Sequence, residues 1–269
     1  MLTPRGIIGV VHLPPLPGDP GFGGSIDEVV AFARADAEAL ADGGCDAIVV
    51  ENFGSTPFHK GTADDPMPPV QVAAMTRAAM EVASFGRPIG INCLRNDAAA
   101  ALSIAAVVGA RFVRINVHTG AYVTDQGVIE GCAAATLRLR AALGLHEVAI
   151  AADVLVKHAA PLGELTPEDA TKDTLLRGRA DAVIVTGAAT GAAVDATRLT
   201  RVRRAAGEAP VWIGSGLTPD NATELAPLVD AAIVGSYFKR DGVLSAPVDR
   251  DRVRRLVDAA RPSMRSGAG

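Results

Sequence analysis

Several short apolar runs in this chain end in residues able to bind a ligand or move a proton: His12, Glu51 with Asn52, Asn92, Arg114 with Asn116, Asp153 with Lys157, Thr186, Ser215 and Ser236. Carboxylates set among cations suit general acid–base chemistry. Asp153, kept ionised by nearby positive charge, would take a proton from carbon or hydroxyl; Lys157 would steady an oxyanion or act as the acid, with His158 in support. Glu51 is the alternative base, because an acid ending a Val-Val run is costly without a partner or a task. Glu51 and Asp153 together could instead share a divalent ion. A plainer reading also stands, in which Arg114 and Asp153 form a structural ion pair. His12, Asn52, Asn92, Arg114 and Asn116 are the candidate substrate-binding groups around these carboxylates.

A second signal lies near the end of the chain. The run Val211-Trp212-Ile213 meets Gly214-Ser215-Gly216, and Thr218-Pro219-Asp220 at once opens a helix, Thr218 being the N-cap. About twenty residues on, Ala231-Ala232-Ile233-Val234 meets Gly235-Ser236 in the same way. Glycines there leave backbone N–H groups open to an anion, and two neighbouring turns placed last are where (β/α)8 barrels hold a phosphate. Thr186 and Gly187, opening the turn that runs on to Gly191, would extend that cradle. The glycines also admit a simpler role as tight-turn residues.

The elements needed to position these groups are legible as short buried strands alternating with helices. Strands are read at Ile7–His12, Ala47–Glu51, Ile89–Asn92, Phe112–Asn116, Val148–Val156, Ala182–Thr186, Val211–Ile213 and Ala231–Val234. Helices follow each, including one from about Ile129 to Leu143 after a loop at Gly120–Gly127, and a last one at Arg250–Ala260. Eight such units without a linker predict a single (β/α)8 barrel spanning residues 1–269, with its core at about 5–260. An open doubly wound sheet is the runner-up, but no GxGxxG follows the first strand. Strand alternation would turn Arg114 and Asn116 inward together, and likewise Asp153 and Lys157, the latter pair about 13 Å apart on an extended strand. The long segments Leu13–Gly24 and Asn52–Pro69 are expected to fold over the mouth, with Phe53 or Phe58 against the prolines.

Bulk properties exclude several classes. The chain has 269 residues, a formal charge of −4 and few aromatics, which removes the basic footprint and stacking surfaces of a nucleic-acid binder. Three scattered cysteines, Cys45, Cys93 and Cys132, indicate neither a disulfide framework nor a zinc knuckle. No leader-like or membrane-spanning run is present, so a cytoplasmic protein is expected. The arginines of residues 250–265 read as a solvated helix face, and Asp249, Asp251 and Asp258 dilute them enough to predict no stable membrane association. The sequence requires no cofactor and leaves open whether the chain forms a homo-oligomer.

Motifs spread along most of the chain carry a resemblance. They are Gly9-Val10-Val11-His12-Leu13-Pro14-Pro15-Leu16-Pro17-Gly18, Glu51-Asn52-Phe53-Gly54, Leu94-Arg95-Asn96-Asp97, Thr119-Gly120 with Thr124-Asp125-Gln126-Gly127, Ala152-Asp153-Val154 with Lys157-His158-Ala159-Ala160-Pro161-Leu162, Thr186 to Gly191, and Gly214-Ser215-Gly216. Together they resemble the BtpA family, also called BtpA/SgcQ, whose founding members are linked to photosystem I biogenesis. The family looks like a branch of the ribulose-phosphate-binding barrels. That implies a small phosphorylated partner, sugar- or nucleoside-like. Cys93 stands where the family more often has a small aliphatic residue, which speaks against its being a nucleophile. Two other functions compete: a non-catalytic assembly factor, and a barrel holding flavin mononucleotide at the same two turns.

Overall fold

The structure, a computed structural model, describes residues 3–187 and 194–265. Its strands are β1 (Gly6–His12), β2 (Ala47–Glu51), β3 (Ile89–Asn92), β4 (Phe112–Ile115), β5 (Ala121–Thr124), β6 (Gly127–Glu130), β7 (Ala149–Val154), β8 (Ala159–Pro161), β9 (Ala182–Val185), β10 (Val211–Ile213) and β11 (Ala231–Val234). Its helices are α1 (Ile26–Asp42), α2 (Pro69–Ala83), α3 (Ala98–Val108), α4 (Ala133–Ala142), α5 (Pro167–Lys172), α6 (Ala196–Ala206), α7 (Pro219–Leu225) and α8 (Arg250–Ala260). Eight strands, in the order β1-β11-β10-β9-β7-β4-β3-β2, close into a parallel barrel with the helices between them, as expected from the alternation.

Local chemistry sets the helix starts. Ser25 accepts the Glu28 N–H, Asp97 the Ala100 N–H, Thr166 the Asp169 N–H and Asp249 the Asp251 N–H, each satisfying a donor that a helix leaves unpaired. Gly109 ends α3 in the left-handed region (φ 68°) that a side chain would resist.

The period-two pattern divides the apolar side chains. Val113, Ile115, Ile150 and Ala152 face the helices, in the larger core. Ile8, Val10, Val49, Phe112, Ala149, Ala151, Ile184, Trp212 and Ile233 fill the barrel itself. Phe112 and Trp212 meet there edge to face, with centroids 5.4 Å apart. Gly90 makes room for this pair, because a Cβ on it would overlap the Phe112 ring.

Two segments depart from the sequence reading. The stretch expected as a loop at Gly120–Gly127, and the first turn of the helix expected from Ile129, instead form the hairpin β5–β6. With β8 the hairpin makes a three-stranded antiparallel sheet. Alternation explains it: Tyr122 and Ile129 pair across the strands and bury against Val117 and Val156, while Gly127 (φ 91°) closes the turn. The second departure is that β7 stops at Val154, because Leu155 turns the chain with φ 53°. Lys157 therefore sits in the turn after the strand and does not share its face with Asp153.

Candidate active site in the barrel mouth

The inward positions at the C-terminal strand ends form one tier: His12, Glu51, Asn92, Arg114, Asp153, Thr186, Gly214 and Gly235. Each of the side chains in this tier is buried, although every one is polar. Below it the barrel is filled with apolar residues, so the tier is held between packed hydrocarbon and the mouth. Buried polar groups in such a place must satisfy one another or a ligand.

Part of the tier is engaged internally. Arg114 on β4 and Asp153 on the adjacent β7 form a fork: Nε donates to Oδ1 at 3.1 Å and Nη2 to Oδ2 at 3.0 Å. Asn116 donates to the same Oδ2 at 2.8 Å, and Asn92 donates to the Asn116 side-chain oxygen at 3.1 Å and to the Arg114 carbonyl at 3.2 Å. Both Asp153 oxygens are thus engaged and its side chain is fully buried. Burial works against the charge on Arg114, but Asp153 and then Glu51 hold its pKa above the ordinary value.

Glu51 is placed differently. Its carboxylate approaches Arg114 at 3.8 Å and His12 at 3.7 Å, both too long for hydrogen bonds. Burial raises its pKa, opposed by Arg114 and Lys157. Lys157 is pushed the other way, lowered first by burial and then by Arg114. Among the described residues it has no ion-pair partner. Its turn is fixed from both sides: Arg95 donates to the Lys157 carbonyl at 2.8 Å, and Arg198 to the Val154 and Leu155 carbonyls at 3.1 and 2.6 Å. His12 is driven down to about 3, chiefly by burial and then by Lys239, Lys157 and Arg114, so it is neutral at physiological pH.

The charged groups and the glycine turns share one cavity. It measures about 350 Å³ and is lined by His12, Glu51, Arg114 and Lys157 together with the backbone of 214–218 and 233–237. Among the described residues, three buried polar atoms of the tier have no partner, His12 Nδ1, Asn92 Oδ1 and Thr186 Oγ1, and Ser215 Oγ beside them is a fourth. The glycines have packing reasons as well. A Cβ on Gly214 would come within 2.7 Å of Ile184 and Thr186, one on Gly235 within 2.5 Å of the His12 ring, and Gly216 has φ 80°. Ser236 begins a short 3-10 turn at the cavity edge, and Gly187 is buried just beyond β9. The rest of that turn, Ala188 to Gly191, lies outside the described residues.

Other sequence-predicted residues fall elsewhere. Asn52 is spent on the backbone of Leu94, accepting from its N–H at 2.7 Å and donating to its carbonyl at 3.2 Å. His158 is exposed and is not part of the cavity lining. Its pKa is lowered by partial burial and then by Lys157. Glu51 and Asp153 do not offer a shared metal site, since Asp153 is saturated, and among the described residues no three His, Cys, Asp or Glu side chains gather around a possible ion. Cys93 is buried, and burial holds its thiol well above the usual pKa. The terminal arginines are not all a solvated face. Arg252 lines the cavity, donating to the Tyr237 carbonyl at 2.6 Å with its guanidinium 4.7 Å from the Tyr237 ring centroid. Its place in the first turn of the helix after the last strand was the available signal. Arg95 was legible only as part of a motif.

Fold and site define a parallel (β/α)8 barrel with a concave, charged mouth at the C-terminal strand ends, where barrel enzymes place their chemistry. The model of the BtpA family matches residues 3–262, and the chain belongs to that family. It is 44% identical over 265 residues to the photosystem I biogenesis protein BtpA of Synechocystis, covering 98% of this chain and 91% of the relative. It is 31% identical over 259 residues to the sgc region protein SgcQ of Escherichia coli, covering 95% and 94%. Solved structures with the same fold include the N-(5′-phosphoribosyl)anthranilate isomerase of Pyrococcus furiosus, with TM-score 0.56, 14% identity, and 96% and 100% of the two chains covered. Tryptophan synthase of M. tuberculosis matches with TM-score 0.59, 18% identity, and coverage of 96% and 93%. No described helix is long and apolar enough to cross a membrane.

Proposed function

We propose that this protein is an enzyme of acid–base chemistry on a small phosphorylated sugar- or nucleoside-like substrate. The observation that carries the reading is the composition of the cavity at the mouth that the charged groups and the glycine turns share. The glycine-rich turns at 214–216 and 235–236 line it together with Glu51, Arg114 and Lys157. The phosphate lies against 214–216 and 235–236, with Arg252 as its cation. Glu51 moves the proton. Burial raises its pKa while burial lowers that of Lys157, which brings a carboxyl and an amine towards the range where each can exchange a proton near neutral pH. Lys157 faces the charge that develops on the substrate oxygen. Asp153 holds Arg114 in place and is a positioning residue, because neither of its oxygens is left for a substrate.

The name of the Synechocystis relative suggests assembly work instead. A scaffold has no use for Glu51, Arg114 and Lys157 gathered around a cavity at the mouth, so the enzyme reading is preferred. Thermal stabilisation by ribose 5-phosphate tests it, with native mass spectrometry of the purified protein to detect a co-purifying phosphorylated ligand. The wild type is expected to be stabilised, and the variants Ser215→Ala and Arg252→Met much less so. Unchanged stabilisation of both folded variants would place the phosphate elsewhere.

A further inference from the structure

A second cavity, of about 360 Å³, lies beside the first, and the two have His12 in common. Its chemistry is the opposite of its neighbour's. Leu13, Pro14, Pro15, Phe32 and Phe53 form its walls, and no charged side chain is among its described lining residues. The size falls within the roughly 300–1,000 Å³ of small-molecule sites, which are typically apolar with a few placed polar groups.

His12 belongs to both chambers, and Thr56 and Ser245 add polar groups to the lining of the second. The His12 ring is held between the two chambers. On one side it abuts Gly235, whose missing Cβ makes the space; on the other it meets Phe53, with centroids 4.7 Å apart at 41°. The residue is 8% exposed, and its Nδ1 is buried without a hydrogen-bond partner.

We propose that the second chamber receives a planar heteroaromatic ring carried by the phosphorylated substrate, nucleobase-like in class, seated against Phe53 beside the His12 ring that the two chambers share. This rests on the phosphate reading of the first cavity and narrows its substrate. Aromatic and proline walls suit a flat ring, which stacks on Phe53 and loses little by leaving water. A bare sugar phosphate would fill the charged chamber and leave the apolar one empty.

Calorimetric titration of the whole protein tests this with ribose 5-phosphate, UMP, AMP, uridine and adenosine. Phe53→Ala removes the stacking wall, and Ser245→Trp fills the chamber from an exposed position that folding tolerates. At least one nucleotide should bind about tenfold or more tighter than ribose 5-phosphate, and both variants should erase that advantage. The affinity of Ser245→Trp for ribose 5-phosphate should stay within about twofold of the wild type. Nucleotides no tighter than ribose 5-phosphate, or an advantage surviving both substitutions, would overturn the proposal. Failure of the phosphate reading has a different signature: ribose 5-phosphate does not bind, while a nucleoside does and loses affinity in Phe53→Ala. Absence of binding by every probe overturns both.

Discussion

Arg114 and Asp153 face each other across adjacent strands in a two-bond fork, 3.1 and 3.0 Å, with the arginine 4% and the carboxylate 0% exposed at the side chain. The fork explains why two charges can sit at the top of an apolar barrel. It also divides the carboxylates of the mouth into one that is spent and one, Glu51, that lines the cavity. Removing one partner of a buried pair leaves the other uncompensated. Asp153→Asn is therefore expected to cost about 3 kcal/mol or more in urea unfolding. The double variant Asp153→Leu/Arg114→Met should be less destabilised than Asp153→Asn alone. A stable Asp153→Asn protein with lost turnover would instead make Asp153 the base.

Glu51→Gln separates chemistry from binding. Turnover of a substrate is expected to fall by about 10²–10⁴-fold with affinity nearly kept, the usual range for loss of a general acid or base. Stability should move the other way. The folded-state pKa of Glu51 is raised, chiefly by burial, so the wild type has its full contribution below the unfolded value of 4.5 and loses it as pH rises through the folded value. Glu51→Gln should match the wild type in acid and surpass it progressively above that point. Urea titrations across this range check the sign; a variant less stable than the wild type at alkaline pH would show that Glu51 is held as a structural anion.

The sequence carried most of the barrel because its strands are short apolar runs and most of its helices begin at Ser, Asp or Thr caps, signals that act over a few residues. Period-two alternation likewise identified the inward set on β4, where Arg114 and Asn116 do point together. What failed depended on contacts distant in sequence or on a single dihedral. Lys157 was placed on a strand face that Leu155 bends away, and the hairpin at 121–130 is sealed by Val117 and Val156 from flanking segments. Arg252 read as one of a run of surface arginines, and its one local signal, a place in the first turn of the helix after the last strand, does not show the contact with Tyr237 that turns it to the cavity. Asp153 and Glu51 were indistinguishable by type; only the geometry shows which has its oxygens occupied.

His12 gives an acid-range prediction. Its folded pKa is depressed to about 3 from 6.5, chiefly by burial, so the unfolded chain binds the extra proton first. Stability from this group is full above 6.5 and is lost as pH falls through the interval down to about 3, at about 1.4 kcal/mol per pH unit. Between pH 7 and 5 the wild type should lose about 2 kcal/mol more than His12→Gln, whose other titrating groups are shared. Parallel losses in the two proteins would mean that His12 accepts its proton without unfolding.

The same ring governs the glycine it rests on. A Cβ at Gly235 would lie 2.5 Å from Cε1 and 3.1 Å from Nε2 of His12, and the imidazole cannot retreat because Phe53 backs it. Gly235→Ala should therefore cost about 1–3 kcal/mol by overpacking. Gly23, where an added Cβ meets nothing within 4 Å, is the matched control and should change little on substitution by Ala. The collision also means that a charged residue at 235 cannot report on an anion alone, since any side chain displaces His12 first. Pairing Gly235→Ala with His12→Ala resolves this. If the ring is the obstacle, the double variant should recover most of the loss due to Gly235→Ala relative to His12→Ala alone, a coupling that urea unfolding of the four proteins measures directly. Additive losses would place the cost in the backbone of the turn and free Gly235 from any packing role with His12.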